Sequence, residues 1–244
     1  MSKVIVTGVT GNAGSAVLTA AIASPTISSI AVLSRKPPFE TSSKIKFIQL
    51  PSSEYPKGFD EIPTSLIDDL KKEGYLSCIW ALGISQTQVK KDEYIKITHN
   101  YTLTAAKAFS TIGTKDKPFR FIFMSGEGAR QDEKGYAIFS KIKGRTEKDL
   151  LEFSEKNQGF EVASIRPGGI MPTAEHLPRQ GFLMRSASRV FGSVFGVVMP
   201  SMIIPASELA VACVGLAQGK GWDQRDHQGV IENATLRQMA QDWI

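Results

Sequence analysis

Residues 3–8 read KVIVTG and run directly into TGVTGNAG, which puts Gly8, Gly11 and Gly14 between an apolar strand and a helix starting near Asn12. A strand, a glycine-rich reversal and a helix in this order restrict the fold severely. Gly8 lets the chain turn back tightly, Gly11 leaves no side chain between the backbone and a phosphate, and Gly14 lets helix and strand pack closely. The helix N-terminus then offers free amide donors and the positive end of its dipole to an anion. Position between strand and helix is what raises these glycines above a loose pattern.

Five further apolar runs follow: SIAVLS at 29–34, IKFIQL at 45–50, LSCIWALG at 76–83, RFIFMSG at 120–126 and FEVASIRPG at 160–168. Because their apolar residues are consecutive and do not alternate with polar ones, each is expected to be buried on both faces, as central strands of a parallel sheet are. Helical patterns at 12–23, 60–73, 91–112, 135–157, 206–217 and 234–243 alternate with them. The expectation is an α/β fold, a doubly wound and mostly parallel sheet with helices on both faces. No repeat and no Gly/Ser/Pro-rich linker divides the 244 residues, so one domain is expected over 1–244, with a small C-terminal substrate or lid region.

Composition narrows the class further. With 42% hydrophobic and 22% charged residues the chain reads as an ordinary soluble protein. Cys78 and Cys213 lie in apolar stretches without CxxC spacing or a histidine pair, so neither a disulfide framework nor a metal site is expected. That pattern suits a reducing compartment, and no signal peptide is legible at the N-terminus, so the expected location is cytoplasmic. The net charge of +5 and pI near 9.1 come from cations interleaved with acids. They do not form the basic and aromatic stripe of a nucleic-acid module, and a phosphate-bearing small molecule explains them as well.

At the end of the second strand the chain reads AVLSRKP. A carboxylate here would accept the adenosine ribose hydroxyls of NAD, whereas Ser34, Arg35 and Lys36 offer a hydroxyl and cations that pair a 2'-phosphate. NADP(H) is therefore the expected cofactor. Its expected contacts are Gly8, Thr10, Gly11, Asn12, Ala13 and Gly14 in the turn, and Ser34 and Arg35 at the second strand. Leu82 and Gly83 after the fourth strand and Pro167, Gly168, Gly169 and Ile170 after the sixth complete the set with Lys143.

The TGxTGxxG turn, the ALG ending the fourth strand, SGEGA, KGRTE and RPGG together resemble the atypical short-chain dehydrogenase/reductase superfamily. Within it the chain is similar to the nucleoside-diphosphate-sugar-epimerase-like, HTATIP2 (TIP30)-like proteins. The resemblance runs from residue 3 to about 172 and more loosely through 203–217. It implies a Rossmann-type fold and a nicotinamide cofactor, and it fixes the substrate hardly at all.

In that superfamily a serine after the fifth strand orients the carbonyl. A tyrosine on the next helix passes the proton, and a lysine four residues on lowers its pKa and holds the ribose. Ser125 and Lys143 match and are the candidate catalytic residues, while Phe139 stands where the tyrosine belongs and has no hydroxyl to give or take a proton. Tyr136 lies seven residues before Lys143, about 10 Å along a helix. Tyr101 and His99 are weaker candidates, and His176 and His227 have no partner pattern.

These residues support an NADPH-dependent oxidoreductase on a small organic molecule, its proton drawn from water, Ser125 or Lys143. The alternatives are a non-catalytic NADP(H)-binding protein with a protein partner and a redox-neutral isomerase in a repurposed pocket. The segment 182–204, FLMRSASRVFGSVFGVVMPSMII, is too interrupted by Arg185, Arg189 and Pro200 for a membrane span. Its readings, in falling order, are a pocket lid, a homodimer surface and a helix resting on a membrane surface.

Overall fold

The structure, a computed structural model, describes residues 1–173 and 202–243. Seven strands form one sheet in the order β3-β2-β1-β4-β5-β6-β9, every neighbouring pair parallel. They are β1 (Ser2–Thr7), β2 (Ile27–Ser34), β3 (Ile45–Gln49), β4 (Ser77–Trp80), β5 (Phe119–Met124), β6 (Phe160–Arg166) and β9 (Val230–Glu232). A two-stranded parallel ribbon, β7 (Gly169–Met171) with β8 (Ile203–Pro205), stands apart from the sheet. The helices are α1 (Asn12–Ala23), α2 (Thr64–Glu73), α3 (Lys91–Ile95), α4 (Tyr101–Ser110), α5 (Ile138–Glu155), α6 (Ala206–Ala217) and α7 (Asn233–Trp243).

Alternation along each strand sends side chains to two different cores. Val4, Val6, Ile30, Val32, Ile122 and Ile165 face α1, α6 and α7, a layer rich in small and branched side chains. Ile5, Leu33, Trp80, Phe121, Phe123 and Val162 face α2, α4 and α5 with Phe109 and Leu150. That second layer is aromatic: the Trp80 and Phe121 rings stack 5.8 Å apart, and Phe59 meets Trp80 edge-on at 5.5 Å. Burial of such a side chain is worth roughly 1.5–3 kcal/mol.

The six expected strands and the alternating helices are present, and the fold is the Rossmann-type α/β arrangement. Three details differ. β3 was expected to be buried on both faces, yet Lys46, Phe47 and Gln49 are exposed, because β3 is an edge strand that one helix layer covers incompletely. β7, β8 and β9 are three residues each, too short to leave an apolar run. Between α3 and α4 the chain makes a π-helical turn at Lys96–Asn100, where one long helix was expected. Most of the 182–204 segment, with Arg185, Arg189 and Pro200, and also His176, lies outside the described residues.

Candidate active site at the carboxyl edge of the sheet

Strand order reverses between β1 and β4, each of which continues the sheet in the opposite direction, so the loops after them diverge and leave a crevice. The glycine turn fills one side. Gly8 has a left-handed backbone, φ +67°, and a Cβ on it would lie 2.2 Å from the Ala81 carbonyl oxygen. A Cβ on Gly14 would lie 2.2 Å from the Gly8 carbonyl oxygen, so α1 can approach β1 only because that residue is glycine. The Gly11 amide donates to the Gly8 carbonyl at 2.9 Å, closing the turn. From the other side the Leu82 amide donates to Thr7 Oγ1 at 3.1 Å, which ties the ends of β1 and β4 together.

A cleft of about 220 Å³ opens here, lined by Gly8, Thr10, Gly11, Ser34, Arg35, Lys36, Phe59, Ala81, Leu82 and Gly83. The structure thus gathers residues that the sequence placed in three separate motifs. Arg35 and Lys36 are exposed at its rim, and their side chains make no ion pair or hydrogen bond among the described residues. Two unspent cations beside a glycine turn with an open helix N-terminus fit an anionic, phosphate-bearing ligand in both shape and charge. Phe59 and Ala81 were not legible as lining residues: Phe59 comes from a short helical turn in a proline-flanked loop without a motif, and Ala81 borders the cleft through position alone.

The strap after β6 and Lys143 do not line this cleft; the strap is tied to the glycine turn from outside it. The Gly168 amide donates to Asn233 Oδ1 at 2.8 Å, and the Pro167 carbonyl accepts from the Glu127 amide at 3.0 Å. Asn12 Nδ2 donates to the Ile170 carbonyl at 3.0 Å, so the phosphate turn and the strap are directly joined. Asn12 Oδ1 is buried without a hydrogen-bond partner among the described residues. Ala13 packs partly buried against the core on the α1 side, and Gly169 pairs with Ile203.

Ser125 and Lys143 come together at the end of β5. Lys143 Nζ donates to the carbonyls of Met124 at 3.0 Å and Ser125 at 2.7 Å. Burial pushes its pKa down to about 8, against the opposing charge of Glu147 one turn along α5. The Ser125 hydroxyl, however, points away from open space. It donates to Glu147, and the residue is only 3% exposed.

Glu147 is fully buried and also accepts from Arg166 through Nε at 3.0 Å and Nη2 at 2.6 Å, with Gln131 Nε2 at 3.4 Å. Arg166 reaches on to Glu232 at 2.9 Å. Burial works against the Arg166 charge, but the bonds to Glu147 and Glu232 outweigh it and hold its pKa above the ordinary arginine value. This pairing is invisible in sequence, since its members lie in the loop after β5 and on α5, β6 and β9.

The other proton-donor candidates have different places. Phe139 sits at the first turn of α5, where its amide donates to Gln86 Oε1 at 2.8 Å. Tyr136 is fully solvent-exposed. Tyr101 donates to Asp60 Oδ2 at 3.3 Å, and His99 is held between Asp149 at 2.7 Å and Asn100 at 2.9 Å. His227 is exposed.

No family model matches the chain. Botcinic acid biosynthesis cluster B protein 16 of Botryotinia fuckeliana is 30% identical over 152 residues, spanning 56% of this chain and 96% of that protein. Protein fmp52, mitochondrial, of Emericella nidulans is 28% identical over 212 residues, 83% of this chain and 79% of that protein. A short-chain dehydrogenase/reductase from Saccharomyces cerevisiae superposes with a TM-score of 0.69 at 10% identity, covering 100% of both chains. A short-chain dehydrogenase from Burkholderia cenocepacia, solved in complex with NADP, gives 0.63 at 14% identity over 98% of this chain and 91% of its own. The fold is therefore that of the short-chain dehydrogenases/reductases. Among the described residues no helix is long and apolar enough to cross a membrane.

Proposed function

We propose, for a chain that belongs to the same family as Botcinic acid biosynthesis cluster B protein 16, an NADPH-dependent oxidoreductase acting on a small organic molecule. The observation that carries this is the cleft of the glycine turn, with Arg35 and Lys36 at its rim and without a partner among the described residues. Gly8, Thr10, Gly11, Asn12, Ala13 and Gly14 would hold the pyrophosphate through backbone donors, and Ser34, Arg35 and Lys36 the 2'-phosphate. Leu82 and Gly83 would flank the adenosine half, and Pro167, Gly168, Gly169 and Ile170 the nicotinamide half. Bound NADPH supplies the reducing equivalent for chemistry beside Lys143. The chain's own residues would position the ligand and manage the proton.

Titration calorimetry of wild type and Arg35→Glu with NADPH and NADH tests the cofactor assignment. Loss of an arginine–phosphate pair, with an acid in its place, should cost at least tenfold in NADPH affinity and leave NADH nearly unchanged. Equal effects on both dinucleotides would refute the 2'-phosphate role. The absence of a hydroxyl at Phe139 favours a second function, a catalytically silent NADP(H)-binding protein that orders a surface for a protein partner. Substrate-dependent NADPH consumption at an enzyme-like rate would exclude that alternative.

A further inference from the structure

A carbonyl reduced at carbon develops negative charge on oxygen and needs an acid within hydrogen-bond distance. The usual acid is missing at Phe139. Tyr136 is fully exposed, the Tyr101 hydroxyl is committed to Asp60, and His99 is committed to Asp149 and Asn100. The Ser125 hydroxyl is buried against Glu147.

Lys143 differs from all of these. An ammonium has three N–H donors, and here two are spent on the Met124 carbonyl at 3.0 Å and the Ser125 carbonyl at 2.7 Å. The third has no partner among the described residues. Among the described residues, a Cβ built on Gly126 would find Lys143 Nζ, at 3.9 Å, as its single neighbour within 4 Å, so the ammonium lies at the edge of space that the described residues do not fill. The Phe139 ring lies near the same loop, its Cζ 3.6 Å from a Cβ built on Gly128.

We propose that Lys143 is itself the proton donor of this site, in place of the missing tyrosine; this rests on the oxidoreductase function above. With NADPH as the reductant, which would be oxidised to NADP+ as one of its C–H bonds gives up a hydride, the carbonyl carbon would gain that hydride as a C–H bond and the C=O π pair would move to oxygen. That oxygen takes the third ammonium proton: one N–H bond breaks, its electron pair stays on nitrogen, and an O–H bond forms. The neutral amine keeps two N–H groups on the same two backbone carbonyls, so the transfer needs no rearrangement. A proton from solvent restores the ammonium. The third N–H can serve the substrate or a ribose hydroxyl, and the proposal assigns it to the substrate.

Glu147 faces Lys143 from its own helix and is itself bound by Arg166 of β6, which Glu232 of β9 shares. Glu127, in the loop after β5, is exposed. Burial lowers Lys143 to about 8, which leaves it protonated at neutral pH and ready to lose a proton, while the Glu147 charge opposes further lowering.

The test uses the full chain, NADPH and para-nitrobenzaldehyde as a carbonyl probe, with wild type, Lys143→Met and Phe139→Tyr. In wild type, turnover should fall about tenfold per pH unit above pH 8, the limb set by Lys143. Lys143→Met should lose about a hundredfold or more in turnover while NADPH affinity, from calorimetry, changes only a few-fold. Without any cofactor, carbon-detected NMR of lysine side chains should show one resonance, absent in Lys143→Met, titrating near 8 instead of 10.5.

Retained turnover and an unchanged alkaline limb in Lys143→Met would overturn the proposal, as would a resonance titrating in the ordinary lysine range. Lost NADPH binding in Lys143→Met with an unchanged single-turnover rate would assign the lysine to the ribose instead. Turnover by Phe139→Tyr but not by wild type would overturn the lysine donor and leave the oxidoreductase fold function standing. NADPH binding without oxidation in every variant would overturn both.

Discussion

Asn12 and Ile170 lie 158 positions apart, and a 3.0 Å hydrogen bond from the Asn12 amide to the Ile170 carbonyl joins the first turn of α1 to the strap after β6. The glycine turn and the strap are therefore one mechanical unit. Asn12→Ala leaves the Ile170 carbonyl without its donor, a loss of about 1 kcal/mol or more. Hydrogen exchange at Gly169–Met171 should accelerate several-fold, and NADPH affinity should fall by a similar factor. Unchanged exchange in the strap would show that β8 pairing alone holds it.

Gly14 and Gly83 separate packing from ligand contact. A Cβ on Gly14 would meet the Gly8 carbonyl oxygen at 2.2 Å, whereas one on Gly83 would meet none of the described residues within 4 Å. Gly14→Ala should lower stability by roughly 1–3 kcal/mol through overpacking and displace the phosphate turn. Gly83→Trp should fold with near wild-type stability yet block dinucleotide binding, because Gly83 lines the cleft. Thermal melts beside NADPH titration of both variants check this contrast.

Glu147 carries the buried charge cluster. Removing it leaves Arg166 only 11% exposed and paired with Glu232 alone, so Glu147→Ala should cost about 3–5 kcal/mol in urea unfolding. Glu147→Ala combined with Arg166→Met removes both charges and should recover much of that loss. If the double variant is no more stable than the single one, the cost lies in lost packing and not in an unpaired charge.

Lys143 makes stability depend on pH in a direction opposite to a paired lysine. Its folded pKa of about 8 lies below the ordinary 10.5, so the unfolded chain binds more protons between those values and the folded state gains stability as pH rises through that window. Below pH 8 the cost of the buried charge is fully present. Lys143→Met should therefore gain most over wild type at pH 7 and about 2 kcal/mol less at pH 10. Denaturant midpoints at the two pH values measure it, and a pH-independent difference would count against a depressed lysine.

The part legible in the sequence was local. Gly8, Gly11 and Gly14 showed a strand-to-helix reversal because only glycine tolerates the backbone angle and the close approach it requires, and consecutive apolar runs showed strands covered on both sides. AVLSRKP likewise carried its cations on contiguous residues, so their shared position at one strand end was readable without coordinates. Edge exposure of β3 and the three-residue strands β7, β8 and β9 were not, since burial of an edge depends on which helix covers it and so short a strand leaves no periodicity.

What the tertiary structure alone decided is which groups meet. Ser125 and Arg166 each end a strand in the sequence, but adjacent pairing of β5 and β6, with α5 crossing over them, brings both onto the buried carboxylate of Glu147. The same packing sets the Lys143 ammonium against two backbone carbonyls and withdraws it from water, which is what lowers its pKa. Chain order fixes residue types and local conformation. Desolvation and long-range pairing exist only once the sheet has assembled, so the chemistry of Ser125 and Lys143 could be nominated from sequence, but their different fates, a hydroxyl committed to a buried carboxylate and an ammonium with two N–H groups on backbone carbonyls, could not.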